Sequence, residues 1–310
     1  MKKIELHLHF DGSIDVNYTN QLMHKDCKNL LVSNDSKNLT QYLDKFSLPI
    51  SLLQDINNIE IYAEKLAKDL VKDDVIYAEV RFCPLFHLEK YKIDDVIYAI
   101  RKGFQHIKGI KINLIFCMMR NFSYEKNLEI IDLTSKFLNK GVVGIDLAGD
   151  EHKYKTEKFE KLFKIIRDKN IPFTIHAGEA DNYTSVNSAL RFGAKRIGHG
   201  VNSIQNIDTI KEIIKNNVVL EICPKSNLDT NVVSNIKLHP AKKLLDMGVK
   251  ISINTDNRTV SNTNLDYEYS LLKNNLGFTD QDLINCNLNA IDAAFISEKE
   301  KDKLRKELFK

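Results

Sequence analysis

Eight short runs of β-branched and aliphatic residues, separated by stretches of helical periodicity, constrain this chain more than any other feature. The runs are Ile4 to His9, Val75 to Phe82, Ile112 to Met119, Val142 to Ala148, Phe173 to His176, Arg196 to His199, Val218 to Cys223 and Lys250 to Thr255. Between them, apolar residues recur at helical spacing over Val96 to Ile107, Asn127 to Lys140, Lys155 to Lys169, Ser185 to Phe192, Ile207 to Lys215 and Pro240 to Met247. Strand and helix alternating in this way predict an α/β fold, a (β/α)8 TIM-type barrel, with a doubly wound open sheet as the competing arrangement. The long connection over residues 14–74 reads as a helical insert after strand 1, with a polar loop around Ser33-Asn34-Asp35-Ser36-Lys37. The tail from Asp280 to Lys310 reads as helices that close the barrel. No repeat, low-complexity tract or Pro/Gly/Ser-rich linker divides the chain, so residues 1–310 are expected to form one domain.

In such a barrel the active site forms at the C-terminal ends of the strands, so the residues that end each strand become the test. Strand 1 ends in His7, His9 and Asp11, and alternate residues of a strand share one face. Strand 4 ends in Leu147-Ala148-Gly149-Asp150-Glu151, and strand 5 in His176-Ala177-Gly178-Glu179-Ala180. Strand 6 ends in Gly198-His199-Gly200, strand 7 in Glu221-Ile222-Cys223-Pro224-Lys225-Ser226-Asn227, and strand 8 in Asn254-Thr255-Asp256-Asn257-Arg258. Each residue alone has an ordinary structural explanation. Ionisable and metal-ligating side chains gathered at one rim point to a functional site.

The residue types define the chemistry. His7, His9 and His176 offer three nitrogens to one divalent ion and Asp256 a carboxylate oxygen, a donor set that suits zinc and leaves room for a water of lowered pKa. His199 is placed to orient or deprotonate that water. Glu179, three residues past His176, is free to protonate a substrate. Gly149 and Gly178 suit close approach of a planar ligand to the backbone. Together these features describe metal-assisted hydrolysis at an electron-poor carbon.

Composition removes other classes. Lysine and arginine (45) nearly balance aspartate and glutamate (42), and the formal net charge is only +3, spread along helical faces; no nucleic-acid footprint is expected. No apolar run has membrane-spanning length, and no secretion signal is read at the start. The five cysteines, at 27, 83, 117, 223 and 286, are scattered without a CxxC pair, which argues for reduced thiols in a cytoplasmic protein. The five remaining histidines, His24, His87, His106, His152 and His239, read as surface or packing residues. Glu79 and Arg81 alternate on strand 2 and read as an ion pair in the barrel mouth. Cys223, before a proline, reads as buried.

These motifs resemble the adenosine deaminase family of amidohydrolase-type barrels. The resemblance is carried by His7-Leu8-His9-Phe10-Asp11-Gly12-Ser13, by the strand-end segments just named, and by Ala78-Glu79-Val80-Arg81-Phe82-Cys83-Pro84 and Tyr42-Leu43-Asp44-Lys45-Phe46. It runs in the family's order from residue 4 to residue 258. It implies one zinc per chain, held by His7, His9, His176 and Asp256. It implies Glu179 as the acid that protonates purine N1, with His199 and Asp256 acting on the attacking water. Substrate contacts are implied for His9, Asp11 (ribose 5′-hydroxyl), Gly149 (purine N3) and Asn257 (purine N7), under an apolar lid carrying Leu43 and Phe46. The implied reaction is hydrolytic deamination of adenosine and 2′-deoxyadenosine to inosine and deoxyinosine, a purine-salvage step, with adenine or a modified adenine nucleoside as the alternative substrate. AMP fits less well, because Asp11 would repel a phosphate. Many family members carry two aspartates where this chain has Asp256-Asn257; an Asn amide also donates to N7. Strand 4 ends without the lysine that a dinuclear hydrolase would use as a bridge. A catalytically dead nucleoside-binding relative is disfavoured because every ligand and acid position is filled. The sequence does not give the oligomeric state.

Overall fold

The computed structural model describes residues 1–33 and 39–309. The polar loop expected around Ser33 to Lys37 therefore lies outside the described residues, apart from Ser33 itself. Eight parallel strands form the barrel wall: β1 (Lys3–His9), β2 (Val75–Phe82), β3 (Lys111–Met119), β4 (Val142–Ala148), β5 (His176–Ala177), β6 (Arg196–His199), β7 (Val219–Ile222) and β8 (Lys250–Ile253). They pair as two four-stranded sheets, β1 to β4 and β5 to β8. Two parallel bridges join the sheets, Ile145 to Phe173 and Leu8 to Asp256. Closure excludes the open doubly wound sheet.

The fifth strand departs from its expected bounds. Its regular ladder holds only His176 and Ala177, against Gly198 and His199. Upstream, Pro172 has no N–H to give; its carbonyl accepts from Ile145 at 2.9 Å, and Thr174 N–H donates back to Ile145 O at 3.0 Å. The Phe173 end of the segment thus belongs to the β4 junction and the His176 end to β6.

The helices are α1 (Val16–Met23), α2 (Lys28–Leu31), α3 (Leu39–Leu43), α4 (Ser47–Leu52), α5 (Ile56–Lys72), α6 (Ile93–Gln105), α7 (Tyr124–Phe137), α8 (Glu160–Asp168), α9 (Tyr183–Arg191), α10 (Ile207–Lys215), α11 (Pro224–Asp229), α12 (Ala241–Asp246), α13 (Leu265–Leu276), α14 (Asp280–Ala293) and α15 (Glu298–Leu308). Their ends follow from capping chemistry: the Asp55 carboxylate accepts from Asn57 and Asn58 N–H at the start of α5, and the Asn206 side chain accepts from Asp208 and Thr209 N–H at the start of α10. In α5, buried Ile59, Tyr62, Ala63, Leu66, Ala67 and Leu70 recur at helical spacing and face the barrel. The tail seals the N-terminal end of the barrel, where Ala290, Ile291, Ala294, Leu304 and Leu308 pack on Ile4, Leu6, Ile76 and Tyr77. Among the described residues no helix is long and apolar enough to cross a membrane.

The barrel interior is charged. Glu5, His7, Glu79, Arg81, Asp146, Arg196 and Glu221 are all fully buried. Glu79 and Arg81 do not pair with each other, contrary to the sequence expectation. Arg81 bonds Asp146 and Glu221, each at 2.9 Å, whereas Glu79 pairs with Arg196 and accepts from Tyr77 Oη. Residues i and i+2 share the interior face, but each reaches across the barrel to a different strand.

Candidate active site

Strand 1 delivers His7 and His9 to the rim, strand 5 His176, strand 6 His199 and the end of strand 8 Asp256. His7 is wholly buried under the floor. Its Nδ1 lies 2.8 Å from Glu221 Oε2, and its Nε2 has no hydrogen-bond partner. His176 Nδ1 lies 2.9 Å from Asp146 Oδ2. Burial alone would raise the Glu221 and Asp146 carboxyls. The guanidiniums of Arg196 and Arg81 outweigh it at Glu221, and His176 and Arg81 outweigh it at Asp146, so both stay well below the usual carboxylate range. Both therefore accept at Nδ1 and leave Nε2 of each imidazole for the cavity, the outer arrangement of carboxylate–histidine–metal sites.

The inner donors have the spacing that one ion imposes. His9 Nε2 lies 3.3 Å from His176 Nε2, and Asp256 Oδ1 lies 3.5 Å from His7 Nε2 and 3.4 Å from His9 Nε2. Zinc bound about 2.0–2.1 Å from tetrahedral donors holds them about 3.3–3.4 Å apart. The orphaned His7 Nε2 and these separations fit a divalent ion. The second oxygen of Asp256 accepts from Ser226 Oγ at 2.6 Å, which fixes the carboxylate plane. His199 also falls in this cluster: one ligand atom each from His7, His176, His199 and Asp256 lie within 4.8 Å of one another. Its Nε2 is 3.6 Å from Glu179 Oε2 and its Nδ1 is 3.1 Å from Asn227 Nδ2.

Backbone strain marks the same rim. His199 and Asp256 both have φ of +60°, a left-handed conformation that costs a non-glycine residue roughly 1–3 kcal/mol. Gly198 leaves room for the His7 ring, since a Cβ there would fall 2.9 Å from His7 Cε1. A Cβ on Gly12 would fall 1.8 Å from Asn257 Oδ1, so only glycine lets Asn257 occupy its place.

Glu179 is a buried carboxyl of the cavity. Burial is the largest influence on it, joined by the carboxylates of Asp256 and Glu151, and together they push its pKa well above the ordinary range. The shift favours the protonated form, which is the form a proton donor needs. Its loop is clamped by a residue to which the sequence reading gave no role. Glu151 Oε1 accepts from Gly178 N–H at 2.6 Å and from Ser185 Oγ; Oε2 accepts from the N–H groups of Glu179 at 2.9 Å, Ala180 at 2.8 Å and Asp181 at 3.2 Å.

The cavity above this floor encloses about 420 Å³, in the range of small-molecule sites. His9, Asp11, Gly149, His176, Glu179, His199, Asp256 and Asn257 line it, and Leu43 and Phe46 line it from the insert. The proposed ligand, acid and substrate-contact residues thus reach one site, with His7 just below the floor; Gly178 does not line the cavity as expected, because it packs against α9, where a Cβ would fall 2.4 Å from Val186 Cγ2. Tyr42 ties the insert to the strand 8 loop through its hydroxyl, 2.8 Å from Ser261 Oγ. Asp11 has an oxygen without a partner, and burial raises its pKa to about 7. The expectation that a fully charged Asp11 repels phosphate is thereby weakened. Of the other histidines, His24, His106 and His152 are exposed and His87 and His239 buried. All five cysteines, Cys223 included, are free and buried.

A closed parallel barrel with histidines and carboxylates at its C-terminal rim is the architecture of the amidohydrolase class. The sequence profile described as adenosine deaminase matches residues 2–310. The adenosine deaminase of Clostridium perfringens (strain ATCC 13124) is 38% identical over 323 residues, covering 98% of this chain and 97% of that protein. The adenosine deaminase of Haemophilus ducreyi is 38% identical, covering 97% and 94%. Among solved structures, the adenine deaminase of Arthrobacter aurescens superposes with a TM-score of 0.90 at 22% identity, covering 99% and 98%. A zinc-bound amidohydrolase of Burkholderia ambifaria superposes at 0.86 with 22% identity, covering 99% and 89%. The chain belongs to the adenosine deaminase family and is a hydrolytic deaminase.

Proposed function

We propose that the protein is a zinc enzyme that hydrolyses adenosine and 2′-deoxyadenosine to inosine and deoxyinosine with release of ammonia. The observation that carries the reading is Glu179, a buried carboxyl with a raised pKa, beside a His/Asp donor cluster in the cavity at the barrel rim. His7, His9, His176 and Asp256 would hold the ion. Zinc in such a site supplies a water nucleophile ionised near neutrality. Glu179 protonates purine N1, which draws electrons from C6 and opens it to attack. His199 orients the attacking oxygen, and Asp256 takes part in moving its proton. Gly149 meets N3 through its backbone, Asn257 meets N7 and Asp11 meets the ribose 5′-hydroxyl. Leu43 and Phe46 act as an apolar lid that excludes water. Five reduced, buried thiols suit a cytoplasmic enzyme.

The lining favours a free nucleoside over a nucleotide for a reason other than the charge on Asp11. Among the described lining residues Lys153 is the single lysine or arginine, and its Nζ lies 3.5 Å from Asp150 Oδ2. A phosphate entering here would lose its hydration without gaining an unshared cation.

The test is absorbance on mixing the zinc-loaded protein with adenosine, in parallel with adenine, AMP and methylthioadenosine. The expected result is rapid conversion of adenosine to the 6-oxo purine, abolished in Glu179→Gln with metal retained. Turnover of another aminopurine but not adenosine would keep the chemistry and overturn the substrate assignment. No turnover of any would overturn the reading.

A further inference from the structure

We propose that Asn227, oriented by His239, fixes His199 as the Nε2–H tautomer, making His199 a hydrogen-bond donor to the cavity and not a metal ligand. The proposal deepens the reading of the rim as a deaminase centre and rests on it for its role in turnover.

The backbone N–H of Ala241 donates to His239 Nδ1 at 3.1 Å, so that nitrogen carries no proton. His239 is 4% exposed, and burial lowers its pKa to about 4, which leaves it neutral with its single proton on Nε2. That Nε2 lies 3.1 Å from Asn227 Oδ1, to which it donates. The amide of Asn227 is now oriented. Its nitrogen faces His199 Nδ1 at 3.1 Å, and an amide nitrogen only donates. His199 Nδ1 therefore accepts, and neutral His199 carries its proton on Nε2, the atom 3.6 Å from Glu179 Oε2.

The neighbouring imidazoles have the opposite arrangement. His7 Nδ1 shares a hydrogen bond with Glu221 and His176 Nδ1 faces Asp146 at 2.9 Å, so a carboxylate favours the proton on Nδ1 of each and leaves the lone pair on Nε2. His199 is the member of the four-residue cluster whose far nitrogen meets a donor. A protonated Nε2 has no lone pair for a metal, so the fourth protein donor is His9, whose Nε2 lies 3.3 Å from His176 Nε2 and 3.4 Å from Asp256 Oδ1. Asn227 and His239 belong neither to the cavity lining nor to the donor cluster; they act through His199.

The test is ¹⁵N NMR of histidine-labelled, zinc-loaded protein without substrate, read beside adenosine kinetics. Wild type should show His199 protonated at Nε2 and bare at Nδ1. Asn227→Asp replaces the donor at Nδ1 with an acceptor and should reverse the tautomer, with kcat falling on the order of 10- to 100-fold and KM little changed. His239→Gln, whose amide can accept from Ala241 and donate to Asn227, should keep the wild-type tautomer. A wild-type His199 protonated at Nδ1 overturns the proposal, whether or not any variant folds. So does an Asn227→Asp protein that loses activity with its tautomer unchanged, because Asn227 would then only pack. Because the tautomer is read without turnover, the expected spectrum in a protein inert to every aminopurine would sink the substrate reading alone.

Discussion

Glu151→Gln tests how the proton donor is held. The wild-type carboxylate receives four backbone N–H groups and one hydroxyl on two oxygens. Glutamine keeps one accepting oxygen. Its better placement puts that oxygen where Oε2 stands, under the N–H groups of Glu179, Ala180 and Asp181. Ser185 can then rotate to accept, but Gly178 N–H is left buried without a partner. An orphaned donor costs about 1–3 kcal/mol, and the surviving bonds lose their charge assistance. A total of about 3 kcal/mol is the expectation. At about 2.1 cal/mol/K of unfolding entropy per residue, this corresponds to a fall of about 5 °C in Tm for a chain of 310 residues. The electrostatic consequence is separate. The Glu151 anion helps to keep Glu179 protonated, and removing it lowers the Glu179 pKa. Catalysis needs the protonated acid, so the alkaline limb of kcat/KM should move to lower pH. Thermal melts and pH–rate profiles of the metal-loaded variant measure both effects. A Tm within about 1 °C of wild type, with an alkaline limb unmoved or shifted upward, would refute the reasoning.

Chelation should abolish deaminase activity and lower Tm, since the orphaned His7 Nε2 and the three inner distances fit an ion, and added zinc should restore both. Asn257→Asp should retain deaminase activity with a changed acid limb of kcat/KM; an unchanged profile would count against contact with the purine. Phe46→Ala should raise KM for adenosine about tenfold, because the lid loses on the order of 1–2 kcal/mol of apolar contact, and an unchanged KM would remove Phe46 from the site. Burial holds His87 at about 4, below its unfolded value of about 6.5. As pH falls through 6.5 the unfolded state takes up a proton that the folded state refuses, so stability is lost until about pH 4. Between pH 7 and 5 urea melts should show wild type losing about 2 kcal/mol more than His87→Leu.

The rim was legible in the sequence because barrel geometry converts a one-dimensional signal into a place. A strand that ends in a histidine or a carboxylate needs only its position in the alternation to be put at the site, and the donors His7, His9, His176, His199 and Asp256 all converge there. What the sequence withheld is the layer behind them. Asp146 sits inside a strand and reads as unexceptional, and Glu221 opens the strand 7 end without an assigned role, until the barrel closes and brings them to His176 and His7. Glu79 and Arg81 invite pairing because they are two residues apart on one face, yet each finds a partner on another strand at far larger sequence separation. Nor does spacing tie His239 to Asn227 twelve residues earlier, since the link depends on how the turn after α11 folds back. This hidden layer decides chemistry that the residue types leave open. Imidazole at the rim can be a ligand or a proton donor, and the choice belongs to the group at its far nitrogen: a carboxylate behind His7 and His176, an amide behind His199. Arg81 beside both carboxylates and Arg196 beside Glu221 help to keep them ionised, with His176 acting at Asp146, and removing either arginine would strand a charge at a cost of about 3–5 kcal/mol. The charged barrel interior is therefore part of the site, extending it from the rim inward to the helices that seal the other end, where Arg196 reaches Ala293 O and Glu79 accepts from Phe295 N–H.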